Sequence, residues 1–273
     1  MGESVMPNLQ RERIIEYLNS GKRIDGRALD EFREIVIERG ISKNAESSVS
    51  VKIGKTEVFA GVKMAVMEPY PDSKNEGTFM TTVELHPMAS NSFDSGKPGI
   101  DAVELARVVD RGIRESGFID LKKLCIKEGE KVWQVFLDIV AINDDGNLMD
   151  ACGLAALVVL GDAKLPVYDE EEKKVKYELS KTAVPLNKEA LSFNITFHKI
   201  GESIIIDASS EEEAISDYRL SVAVGEGNGK ARITSLQKGK AGAISDDDME
   251  RILKLVEDNF SSMLPKIRKY VFG

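Results

Sequence analysis

Cysteine is nearly absent: the 273 residues hold two, Cys125 and Cys152. Two thiols make neither a disulfide framework nor a cysteine-rich metal site. Histidine is equally scarce, with only His86 and His198, so no zinc centre of His and Cys ligands is expected. Long apolar runs are missing too. The longest, residues 151–161, spans 11 residues before Asp162, against the roughly 20 needed to cross a bilayer. The opening MGESVMPNLQRER has no basic-then-apolar order, and its sixth residue is Met where a myristoylation signal needs Ser or Thr, so neither a secretory leader nor a lipid anchor is expected. A reducing cytoplasm is the expected address, and no membrane partner is expected. Positive charge is in deficit, 37 Lys and Arg against 46 Asp and Glu, a net −9. That balance disfavours non-specific binding of duplex DNA over the whole surface, while leaving room for a local basic site.

What remains is an ordinary globular composition, 42% apolar and 30% charged, long enough for one large domain or two modest ones. Residues 7–20 read as a helix, followed by the charged turn RIDGR at 23–27. Alternation over 46–66 about Gly54 and Lys55 predicts a hairpin. Residues 67–77 read as a loop and 78–86 as a strand. A strong helix is expected at 101–116, a strand at 131–142, a glycine turn at 143–147 and a buried helix at 148–162. The charge cluster at 169–176 reads as a solvated hairpin tip. Strands recur at SFNITFHKI, SIIIDA and the pair YRLSVAV/KARITSL. A last helix is capped by Ser245 with Asp248 three residues on, and Pro265 is expected to break or bend it near Met263. The pattern is α+β, two similar lobes packed tightly together near residue 185.

The helix at 101–116 is the most informative feature. Ala102, Leu105, Ala106, Val109 and Ile113 share one face, and Arg107, Arg111 and Arg114 fall within an arc of roughly 60° on nearly the opposite side. Guanidiniums in such a row suit successive phosphates of a single strand. The competing reading is a solvated face paired with Glu104, Asp110 and Glu115. Elsewhere the bland reading is favoured. The glycines at 225–229 lack the Lys-Ser/Thr continuation of a P-loop and suit a hairpin turn. Glu211, Glu212 and Glu213 with Asp217 offer carboxylates for a metal, or equally the acidic first turn of a helix. Neither histidine has a Ser or Cys partner at a triad spacing. Trp133 is expected in the core.

RIDGR, ARVVDRGIRES, EGEKVWQVFLDI, SEEEAISDYRLSVAV and QKGKAG together resemble the RNase PH family, from about Arg23 to Leu264. The resemblance implies an RNase PH-like fold of two βαβα-type lobes, related to a ribosomal-protein domain, behind an N-terminal helix. It divides the chain into 1–30 (helix and RIDGR loop), 31–185 (lobe 1) and 186–273 (lobe 2). Members degrade RNA from the 3′ end with inorganic phosphate, and the likeness is strongest to the larger, non-catalytic ring subunit type of the archaeal exosome. Active members carry a glycine, a Ser or Thr and an Arg at the start of the helix after the DG turn, where the attacking phosphate is held. Asn147, Leu148 and Met149 align there, followed by Asp150, so the resemblance implies a degenerate phosphate site. Ile100 and Asp101 stand where active members have an Arg pair. Asp217 matches one of two acids in the second lobe, and the other position falls unassigned among Glu211, Glu212 and Glu213.

The expectation is therefore a subunit without catalytic residues, metal or cofactor. It would alternate three and three with an active RNase PH-type partner, beneath cap RNA-binding subunits, and hold single-stranded RNA through Arg107, Arg111 and Arg114. Two rivals stand beside it: a divergent metal-dependent 3′–5′ exoribonuclease using Asp217 and a nearby Glu, and a scaffold that never touches RNA.

Overall fold

A computed structural model describes residues 8–94, 96–177, 182–227 and 229–273. Helix α1 (Asn8–Asn19) buries Ile14 and Leu18 in a small cluster with Ile200, Ile205, Ala208 and Ile215. The first sheet holds β1 (Ile35–Arg39), β2 (Ser47–Ile53), β3 (Thr56–Met67), β4 (Thr78–Leu85), β5 (Cys125–Lys127) and β6 (Lys131–Asn143). Its order is β1-β2-β3-β6-β4, with β5 folded back on β6. All pairs are antiparallel except β4 with β6. A parallel partner needs a long crossover, and β4 is followed by helix α2 (Ile100–Ser116) before the chain returns as β6.

Helix α3 (Leu148–Asp162) is apolar all round, and every residue from Leu148 to Leu160 is buried. Such a helix belongs between layers. It packs on β2 and β3 on one side and on β11 (Ser192–Ile200) of the second sheet on the other. Two short two-stranded ribbons intervene in sequence, β7 (Lys164–Leu165) with β10 (Thr182–Ala183) and β8 (Val167–Asp169) with β9 (Lys174–Lys176). The second ribbon is the charged hairpin tip, tied by Lys176 to Asp169 at 2.5 Å. The second sheet is antiparallel, β12 (Ser203–Ile206), β11, β13 (Tyr218–Gly227) and β14 (Lys230–Gly239), with short helix α4 (Ser210–Ile215) between β12 and β13. Asn228 of the glycine-rich turn lies outside the described residues. One continuous apolar cluster runs from Val49 in β2 through α3 to Val271 at the C-terminal end.

The last helix departs from expectation. Helix α5 (Asp246–Phe272) starts as predicted, with Ser245 Oγ accepting from Asp248 N at 3.1 Å, but it is not broken at Pro265 and continues to Phe272. A proline inside a helix costs about 3 kcal/mol. Burial offsets it: Ile267 and Val271, both beyond the proline, are 2% and 1% exposed in the core, and each large apolar side chain so buried contributes roughly 1.5–3 kcal/mol. Among the described residues no helix is long and apolar enough to cross a membrane.

Candidate nucleic-acid interface and the start of helix α3

Helix α2 turns Ala102, Leu105, Val108, Val109, Gly112 and Ile113 into the core. Its other flank forms one wall of a groove of about 510 Å³, and residues 79–83 of β4 form the facing wall. Five consecutive residues of one strand line this groove because β4 is the outermost strand of its sheet. Arg107, Arg111 and Arg114 all line it, as do Val103, Ala106 and Asp110. Ala106, expected on the core face, packs against the main core cluster and also reaches the groove.

The three arginines are brought together but held differently. Arg107 is exposed, with no hydrogen bond or ion pair among the described residues. Arg111 is half-buried and donates through Nη2 to Gln237 Oε1 at 2.7 Å. Arg114 is engaged most fully. Its Nε and Nη2 donate to the Asp110 carboxylate at 2.9 Å each, and Nη2 also reaches Phe79 O at 2.7 Å. Its guanidinium lies 5.9 Å from the centre of the Phe79 ring. The Asp110 hydrogen bond, against the cost of burial, raises its pKa further. Of the three acids offered as solvating partners, Asp110 alone takes one of these arginines. Glu104 turns away to Arg219.

The start of α3 is a different environment. The chain enters it through Gly146 (φ 84°) and Asn147 (φ 62°). At Gly146 a side chain is doubly barred, by that φ and because a Cβ would stand 2.5 Å from Ala208 O. The backbone N–H of Asn147 donates to Glu213 Oε1 at 2.8 Å. Asn147 Nδ2 donates to Asp207 Oδ1 at 2.7 Å and Asp150 Oδ2 at 3.1 Å. Asp150 also accepts from Thr196 N at 3.1 Å and Thr196 Oγ1 at 2.8 Å. Leu148 and Met149 are buried in the main core cluster. A helix N-terminus attracts anions through its free N–H groups and its dipole. Here the chain's own carboxylates surround it. Burial pushes the Asp150 carboxyl up to about 7, despite the donors it faces. Burial works on Asp207 in the same direction, but the hydrogen bonds and charge of Arg33 overcome it and hold that carboxyl below its ordinary range.

Asp207 is the hub of a cluster that the sequence did not reveal. Arg33 Nη2 and Arg27 Nη1 reach its two oxygens at 2.7 and 2.8 Å. Arg23, fully buried, grips Glu212 with two nitrogens and donates to the carbonyls of Ile206 and Asp207. RIDGR is thus a clamp on the second sheet. The acids considered for a metal do not converge. Glu212 is bound to Arg23 and closes the α4 capping box, Glu213 faces Asn147, and exposed Asp217 accepts from Gly201 N at 2.9 Å. Among the described residues no group of three or more His, Cys, Asp or Glu could hold a metal ion.

Comparison with known proteins follows the same lines. The model of the 3′ exoribonuclease family, domain 1, matches residues 31–166, and that of domain 2 matches residues 193–257. A protein of Methanothermobacter thermautotrophicus named exosome complex component Rrp42 is 43% identical, over 96% of this chain and 98% of its own. Its namesake in Pyrococcus horikoshii is 41% identical, over 98% and 95%. A chain of the Archaeoglobus fulgidus exosome with RNA bound to the active site superimposes with a TM-score of 0.85 at 37% identity, covering 95% of this chain and 98% of that one. A chain of an archaeal exosome core gives 0.82 at 34%, covering 98% and 100%. With both lobes matched in order and full-length relatives near 40% identity, this chain belongs to the RNase PH-type 3′ exoribonuclease family.

Proposed function

We propose that this chain is a non-catalytic, RNA-contacting subunit of an archaeal-exosome-type ring. It alternates three and three with an active RNase PH-type partner beneath cap RNA-binding subunits, in the cytoplasm, and supports 3′-to-5′ phosphorolysis performed by that partner. Full-length similarity to archaeal proteins named as exosome components supports the assembly. Catalytic silence is supported by one observation above all. Where phosphate would be held in an active relative, the start of α3 carries Glu213 on the Asn147 amide and two further carboxylates, Asp150 and Asp207, within reach of the Asn147 side chain. An anion brought there finds the Asn147 N–H already taken by Glu213, meets the carboxylate of Asp207, and among the described residues finds no free guanidinium, since Arg33 is bound to Asp207. Phosphorolysis needs the attacking phosphate positioned and its charge offset.

The test is reconstitution. The purified chain alone gives no phosphate-dependent shortening of single-stranded RNA, and adding the partner restores it. Phosphorolysis by the isolated chain would overturn the reading. In the assembled ring, Arg107→Glu with Arg111→Glu weakens RNA binding and lowers its salt slope, by about 0.7 per lost phosphate contact on a single strand. An unchanged slope favours the scaffold that never touches RNA. Arg114, already bound by Asp110 and Phe79 O, is the weakest contributor of the three.

A further inference from the structure

Arg107 and Arg111 line the same groove, but only Arg111 is aimed by a neighbour. The side chain that aims it comes from the far sheet, in the QKGKAG segment. Gln237 Oε1 accepts from Arg111 Nη2 at 2.7 Å, while Gln237 Nε2 donates to Glu104 Oε1 at 3.1 Å. The amide has one workable orientation. Flipped, its NH2 would face a guanidinium that only donates, and its oxygen would face a carboxylate that only accepts. Glu104 is in turn fixed by Arg219 Nη2 of β13 at 2.5 Å. Gly239 makes room for that arginine, since a Cβ there would stand 2.6 Å from the same Nη2. The chain of contacts Gly239, Arg219, Glu104, Gln237, Arg111 therefore runs from the second sheet across α2 to the groove. Arg111 Nε lies buried with no hydrogen-bond partner among the described residues, so the Gln237 amide is what fixes this guanidinium.

The chemistry of the link matters as much as its geometry. Arg114 is held by a carboxylate, which offsets its charge. Arg111 is held by a neutral amide, which orients the fork and leaves the full positive charge for an anion in the groove. A guanidinium already ordered loses less conformational freedom when it grips a phosphate.

We infer that Gln237 is a positioning residue for RNA binding by Arg111, with Glu104 and Arg219 setting the direction of its amide. This rests on the reading of Arg111 as an RNA contact. The experiment uses the assembled ring and fluorescently labelled single-stranded poly(A) RNA, comparing Arg111→Ala, Gln237→Met and the double variant. Methionine keeps the length of glutamine and removes the amide's hydrogen bonds, so a role in packing alone leaves affinity unchanged. Expected are a loss of about tenfold for Arg111→Ala, about threefold for Gln237→Met, and a double variant no weaker than Arg111→Ala alone. Wild-type affinity for Gln237→Met, or a loss that adds in full on top of Arg111→Ala, overturns the positioning role. Wild-type affinity for Arg111→Ala overturns the RNA reading beneath it. Glu104→Met repeats the test without altering Gln237: it removes the oxygen that accepts from the Gln237 amide and so frees the amide to turn, and its weakening must likewise vanish in the Arg111→Ala background.

Discussion

At the scale of single residues, the start of α3 yields a prediction about pH. The Asp150 carboxyl titrates near 7 in the folded chain against an ordinary 3.8, so folding favours its protonated form. That contribution to stability is complete below about 3.8 and is lost as the pH rises through 7. Asparagine reproduces the protonated acid: its oxygen accepts from Thr196 N and Asn147 Nδ2, and its NH2 donates to Thr196 Oγ1, which has Ser221 Oγ 3.0 Å away. Asp150→Asn is expected to exceed wild type modestly at pH 5, inside that window, and by more in urea denaturation at pH 8. A difference that does not grow between the two pH values sinks the assignment. Legibility at this scale was uneven. The three arginines were readable because a helical period of 100° per residue sorts a short segment into faces. The partners of Arg23 and Arg33 were not, because Glu212 lies 189 residues from Arg23, and Asp207 lies 174 from Arg33. No local period carries such a pairing, and RIDGR showed only a charged turn.

At the scale of elements, local signals placed the longer strands and helices but not β1 or β5, and tertiary burial decided the course of the last helix. Pro265 was read from its own chemistry, which opposes a helix. Ile267 and Val271 outvoted it through a core that no window around the proline contains. Pro265 itself is exposed, so Pro265→Ala gives up little packing and restores a donor to the helix. It is expected to raise stability by about 1–3 kcal/mol in urea denaturation, and a loss would mean the proline fixes the direction of the last two turns. Gly146→Ala acts oppositely. The left-handed turn into α3 and the contact with Ala208 O both exclude a Cβ, and a cost above about 1 kcal/mol is expected. The Gln237 link to Arg111 was also invisible beforehand: QKGKAG stood out as a string, while its meaning depends on which helix β14 is packed against.

At the scale of the whole molecule, two sheets share one apolar cluster with α3 between them. Unfolding is expected to be a single cooperative step. Trp133, the sole tryptophan, lies 7% exposed in β6 of the first sheet, so its fluorescence reports that half while far-UV circular dichroism reports both. Coincident transitions are expected, and separated ones would show lobes that come apart. The strap formed by Arg23, Arg27 and Arg33 adds an order of events. A buried cation without its counter-charge is strongly unfavourable, and the carboxylates that receive this strap are translated some 174 to 189 residues later. On the ribosome, the segment from Arg23 to Arg33 emerges early and has nowhere to dock until the residues around Asp207 and Glu212 have left the exit tunnel, so closure of this strap waits on the second sheet.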